Sequence, residues 1–121
     1  GYEGIYFSRA SQKRQGATES VEVVEGCALL YRASKFICRD IMTRRFADLI
    51  PASAPSSKFM DKARSLNEGA AIAVLACRGC GTELVAASTH IHWDPKWPEI
   101  KAFQTSLLTQ MVSEAAQGEA L

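Results

Sequence analysis

The chain has 121 residues, of which 47% are hydrophobic and 22% charged, and a formal net charge of +1. This is the length of one domain and the composition of a globular protein. A near-neutral balance excludes a globally basic surface, so any polyanion site must be built locally from a few basic residues.

Tyr2 to Phe7 alternates aromatic with small or polar residues and predicts a strand. Ser8 to Ser20 is polar, carries Arg9, Lys13 and Arg14, and predicts a loop. Val21 to Tyr31 resumes a β-rich run, with Gly26 as a bulge or close-approach point. Lys35 to Met42 is a further short strand. Residues 43–66 contain RRFADLI, the Pro/Ser loop PASAPSSK and the helix-like FMDKARSL, and are expected to form a surface insertion. Ala70–Ala76 and Glu83–Thr89 are two apolar runs joined by CRGCGT, and both are expected as strands covered on two faces. From Glu99 to Ala116, the residues Ile100, Phe103, Leu107, Met111 and Ala115 recur at steps of three and four, which predicts a helix lying on a sheet. Pro98 suits its first turn, and Glu99 complements the helix dipole. The order of elements implies an α/β fold with a mixed sheet.

No apolar run approaches the roughly 20 residues that cross a bilayer. GYEGIYFSRA reads as an aromatic strand rather than a signal peptide, and the missing initiator methionine leads us to expect a partial or trimmed chain. The four cysteines lie in apolar segments, as reduced core thiols of a cytoplasmic or nuclear protein would. Cys77 and Cys80 have metal-ligand spacing, but structural zinc commonly takes two such pairs, and no second pair exists. A glycine-rich hairpin turn is the better reading. No helix pattern follows to activate a thiol there.

Ser88 to Thr105 holds both histidines and both tryptophans. His90 ends an apolar strand, and Asn67 precedes its neighbour. If those strands pair as a hairpin, Asn67 and His90 emerge at the same end of the sheet. An imidazole and an amide side by side can donate hydrogen bonds to a phosphate or carbonyl oxygen. A strand-end histidine is also commonly structural. A structural role is expected for His92. Trp93 and Trp97 fit either base stacking or packing over a helix start. Asp94, just ahead of Pro95, reads as a turn or cap residue. Lys101 reads as a solvated charge, and Arg44 and Arg45 fit either RNA contact or, as is usual for an exposed pair, a solvated surface.

The stretch STHIHWDPKWPEIKAFQTSLL resembles the His-x-His-Trp-Asp-Pro region of the carbon-catabolite-repressor-type poly(A) deadenylases. Other pieces resemble family strands in the same order: GYEGIYFSR, VEGCALLYR and NEGAAIAVL. The likeness runs from Gly1 to about Val112 and is weakest over 43–66. It implies the endonuclease/exonuclease/phosphatase superfamily, with a deoxyribonuclease I-like α/β sandwich of mostly antiparallel strands and a covering C-terminal helix. The chain would be the central portion, residues 1–121, of one such domain. The HWDP turn points to the deadenylase branch over nocturnin-like or sphingomyelinase-like branches.

The resemblance implies a Mg²⁺-dependent phosphodiesterase that removes adenylates from the 3′ end of mRNA tails, in a deadenylase complex and away from membranes. His90 falls on the family histidine that would hydrogen-bond the scissile phosphate. Pro95 falls on the proline that packs against an adenine face, Arg9 on a basic position near the substrate phosphates, and Asn67 on the family's pre-strand asparagine. The family's metal-binding Glu, Asp-x-Asn and Asp-His motifs have no counterpart here, so the metal ligands are expected outside these residues. The chain alone is then expected to be inactive, and its truncated sheet to expose an edge and part of an apolar face. Two other readings stay open: a different phosphoester hydrolase of the superfamily, nocturnin-like or acting on cyclic phosphates, and a truncated non-catalytic RNA-binding or scaffold copy.

Overall fold

The computed structural model describes residues 1–9, 12–13, 22–23 and 25–118. Most of the expected Ser8–Ser20 loop lies outside the described residues. The elements among the described residues are β1 (Tyr2–Ser8), β2 (Gln12–Lys13), β3 (Glu22–Val23), β4 (Gly26–Arg32), β5 (Phe36–Arg45), a 3-10 turn (Phe46–Leu49), α1 (Lys58–Arg64), β6 (Gly69–Cys77), β7 (Glu83–Thr89) and α2 (Pro98–Ala116).

All strand pairs among the described residues are antiparallel. β1 pairs with β4 from Tyr2↔Arg32 to Ser8↔Gly26, and β2 pairs with β3. β5, β6 and β7 form a three-stranded sheet in that order. Its central strand, β6, has no polar side chain between Gly69 and Cys77, because both of its faces are covered. Ala70 and Ile72 point to a layer made by Phe46 and by Met111 of α2. Ala71 points to Phe7 and Cys27, and Ala73 and Leu75 point to Leu29. The β1–β4 ribbon therefore packs on one face of the sheet and α2 on the other, with the alternation that a strand imposes. Alanines on β6 let both layers approach closely. This is the expected α/β sandwich.

The expectation that both apolar runs are covered on two faces holds for β6 and not for β7. β7 is, like β5, an outer strand of the three-stranded sheet, and its Leu84 is 40% exposed. Continuous hydrophobicity there reflects small alanines at half-covered positions, not burial. Residues 43–66 divide into three parts. Thr43 to Arg45 continue β5, Phe46 enters the core, and Pro51–Ser57 is largely exposed. β5 also carries a register shift between Cys38 and Asp40, whereas Gly26 is a close-approach point: a Cβ there would lie 2.1 Å from the Phe7 carbonyl oxygen.

Short-range chemistry sets the helix starts. Ser57 caps α1 by accepting a hydrogen bond from the Met60 N–H at 3.0 Å. Asp94 builds the turn before α2, its Oδ1 accepting from the Lys96 N–H at 2.9 Å. Pro98 occupies the first turn of α2. Phe59 of α1 meets Phe103 of α2 edge to face, with centroids 5.4 Å apart. Tyr2, Tyr6 and Leu30 are exposed. They are alternate residues of the ribbon pointing away from the sheet, the open apolar face that the sequence leads one to expect.

Candidate functional site

The antiparallel register brings four chain points to one end of the sandwich. β1 runs out into Arg9 opposite the start of β4. β6 begins just after Asn67 and Glu68, beside the end of β7, where Ala70 pairs with Thr89 and His90 follows. Asn67 and His90 therefore do emerge together, as the hairpin predicts. Gly69 makes this convergence possible. A Cβ on it would sit 2.3 Å from the Arg44 carbonyl oxygen and 2.4 Å from Cζ of Phe7.

Behind this rim lies a buried polar chain. The Arg9 N–H donates to the Glu25 carbonyl at 2.8 Å, and Arg9 Nη1 donates to the Glu25 carboxylate at 3.1 Å. Arg9 Nη2 lies 3.8 Å from Oε2 of Glu68. The other Glu68 oxygen, Oε1, meets Nδ1 of His92. Glu68 is 2% exposed and His92 7%, so the two side chains meet in a poorly hydrated place. Such a group is tolerable only because cation, carboxylate and imidazole face one another. The His92 backbone N–H donates to Oε1 of the buried Gln104 at 2.9 Å, tying the turn to α2. Oε2 of Glu68 and Nε2 of His92 make no hydrogen bond among the described residues.

The rim itself is more open. His90 is exposed. Its backbone hydrogen-bonds the Cys27 thiol. Burial pushes that thiol's pKa up, while the Arg9 charge and the His90 contact oppose the rise. Asn67 accepts from Arg45 Nη1 through Oδ1 at 3.3 Å, which leaves its amide N–H groups as donors. Arg45 also pairs with Asp48 at 2.9 Å. Pro95 stands exposed on the turn after β7. Arg9, Asn67 and His90 are thus gathered at one rim, while Pro95 joins them only through the turn that carries it. Arg9 is more committed than its basic character suggests, since two carboxylates share its guanidinium.

Chemically, the rim offers an imidazole and amide donors, backed by a guanidinium, to an anionic oxygen. It does not offer a cation-binding carboxylate set. Among the described residues no group of three or more His, Cys, Asp or Glu is placed to hold a metal ion, and the nearby Glu25 and Glu68 face Arg9 and His92. No described helix is long and apolar enough to cross a membrane. At the far end of β6, Cys77 and Cys80 flank a hairpin turn closed by the Cys77 N–H to Thr82 carbonyl bond at 2.8 Å.

Glu68 escaped the sequence reading. The signal was present: a lone acid inside NEGAAIAVL, at the mouth of a wholly buried strand, has to find partners. Gln104, a polar residue on the buried stripe of α2, was the matching clue.

No protein-family model matches the chain. It is 28% identical over 120 residues to the CCR4-Not complex 3′-5′-exoribonuclease subunit Ccr4 of Yarrowia lipolytica, covering 97% of this chain and 17% of that protein. The Candida albicans protein of the same name is 29% identical over 113 residues, covering 91% and 14%. The Schizosaccharomyces pombe one is 25% identical over 125 residues, covering 96% and 17%. The chain therefore spans about a sixth of the length of these curated relatives. Among solved structures it is similar to the human Nocturnin catalytic domain with bound sulfate anion, at a TM-score of 0.72 and 21% identity, over 98% of this chain and 38% of that one. That likeness shows the fold. The resemblance drawn from the sequence motifs and these comparisons agree.

Proposed function

We propose that residues 1–121 are the central portion of a single endonuclease/exonuclease/phosphatase domain, in a protein that shortens poly(A) tails as a 3′–5′ exoribonuclease. The observation that carries this reading is the likeness to Ccr4 exoribonuclease subunits along 97% of the chain. The rim geometry supports it. His90 would donate to the scissile phosphate as charge develops there, and Asn67 would hold the same group through its amide. Pro95 would cover a base face, a contact tolerant of sequence unless others read the base edge. Arg9, already held by Glu25 and Glu68, would contribute its positive field near the phosphates rather than a free donor fork.

Such a domain would use Mg²⁺ to polarise the phosphate and help generate the attacking water. The residues described here do not fit that ion, for the reasons given above. Its ligands are expected from other parts of the protein, so this chain by itself is expected to be inactive. The partners would be poly(A) RNA and subunits of a deadenylase complex, in the cytoplasm and also the nucleus.

The test is a substrate panel on the full-length protein: A-tailed RNA, U-tailed RNA, a phosphorylated dinucleotide and a cyclic phosphate. Stepwise release of AMP from the A-tailed RNA is expected. Preferred cleavage of the dinucleotide phosphate would replace this reading with that of a nocturnin-like phosphatase.

A further inference from the structure

Beside the turn that carries Pro95 lies a groove that the roles proposed for the rim do not use. It is a cleft of about 550 Å³ lined by Lys58, Phe59, Lys96, Trp97 and Glu99. The Phe59–Phe103 contact pins α1 against the start of α2. That docking sets Lys58 and Lys62, one helical turn apart, over the same indole. Their ammonium nitrogens lie 6.0 and 5.8 Å from the Trp97 ring centroid. Lys58 and Lys96 are exposed, and Trp97 is half-buried. Two lysines therefore lie over one indole and a third, Lys96, lines the same cleft, with Glu99 as the lone acid in the lining. The chain as a whole carries a net charge of only +1, so the groove concentrates positive charge that the rest of the surface balances.

We propose that this groove is a second RNA subsite, holding the single strand upstream of the nucleotide at His90. The inference rests on the exoribonuclease reading and extends it. Basic side chains beside a flat aromatic ring are the elements of sequence-tolerant single-strand binding: the flexible ammoniums over the ring turn out to the phosphates while a base takes their place on it. Continuity selects a polynucleotide over an acidic peptide. Trp97 is two residues from Pro95 on the same turn, so a strand whose 3′ end lies at the rim runs naturally into the cleft. The cleft volume also lies within the roughly 300–1,000 Å³ of ordinary ligand sites. A purely structural role, in which the lysines only hold α1 over Trp97, makes a different forecast: it affects stability and leaves RNA length dependence untouched.

The experiment measures binding of three-residue and twelve-residue oligo(A), of twelve-residue oligo(U) and of an oligo-glutamate peptide to the full-length protein in chelator. Unaltered protein is compared with Lys58→Glu/Lys96→Glu. Both positions are exposed, and an acid at Lys58 improves the first turn of α1, so the variant is expected to fold. The twelve-residue strands should bind about tenfold more weakly, with the salt slope reduced by about 1.4 for two lost phosphate contacts. The three-residue strand should bind as before. Unchanged twelve-residue binding would overturn the subsite, and so would tighter binding of an oligo-glutamate peptide than of RNA. If the unaltered protein fails to hydrolyse oligo(A) in Mg²⁺ while the twelve-residue binding still depends on the lysines, the exoribonuclease reading falls and the groove stands.

Discussion

Glu68 and His92 lie 24 residues apart in sequence, and the carboxylate of one meets Nδ1 of the other in the interior. The pair joins the mouth of the central strand to the turn after β7. Through Arg9 and Gln104 it also reaches the end of β1 and the buried face of α2. The rim that presents His90 and Asn67 is built on this buried anchor.

Removing one partner should be costly. Glu68→Ala leaves an imidazole and a guanidinium facing an empty space, and a loss of about 3–5 kcal/mol is expected in urea unfolding. Glu68→Gln keeps an acceptor and should cost less, about 1–3 kcal/mol. The double variant Glu68→Ala/His92→Ala should be less destabilised than the sum of the two single changes. Strict additivity would show that the two side chains do not act as a pair.

His90 is exposed at the rim, so its removal should spare the fold. In the full-length protein, His90→Ala is expected to lower kcat on A-tailed RNA by about 10²-fold while RNA affinity changes little. Pro95→Gly should narrow the preference for A over other bases. An equal fall in turnover and binding would reduce His90 to an ordinary contact.

Gly69 has backbone, not a flexible side-chain end, at the place a methyl would occupy. Gly69→Ala should push β6 away from Arg44 and Phe7 and cost about 1–3 kcal/mol, the usual range for overpacking. Because Glu68 and Asn67 lie immediately before it, the change should also lower activity at temperatures where the protein is still folded. A melting curve and a rate measured well below the midpoint separate the two effects.

The cysteines should differ in reactivity. Hydrogen bonds, the largest from the Thr82 hydroxyl, bring the Cys80 pKa from 9.0 down to about 7. Its thiolate therefore forms as pH rises through about 7 instead of 9, and alkylation by iodoacetamide should accelerate over that window. Cys27 is buried with a raised pKa and should react last. Peptide mapping of the alkylated protein reads the order directly, and Thr82→Val should shift the Cys80 profile back toward higher pH. Such activation does not need the following helix that the sequence lacks. It comes instead from a side chain two residues on, folded back across the hairpin.

The α2 stripe of Ile100, Met111 and Ala115, the unbroken apolar run of β6 and the CRGCGT hairpin were legible in the residues, because periodicity and turn chemistry are local. So were the ordered motifs that resemble the deadenylases, and the pairing that brings Asn67 and His90 to the same end of the sheet. The packing of the β1–β4 ribbon on one face of the sheet was not legible, because it depends on which layer covers Ala71 and Ala73. Nor was the half-exposed state of β7, whose alanines read alike in a buried or an edge strand. The partners of Glu68 and the lysines over Trp97 belong to the tertiary structure for the same reason. Each of those contacts joins residues more than 12 positions apart, and only the folded chain decides which distant charges meet.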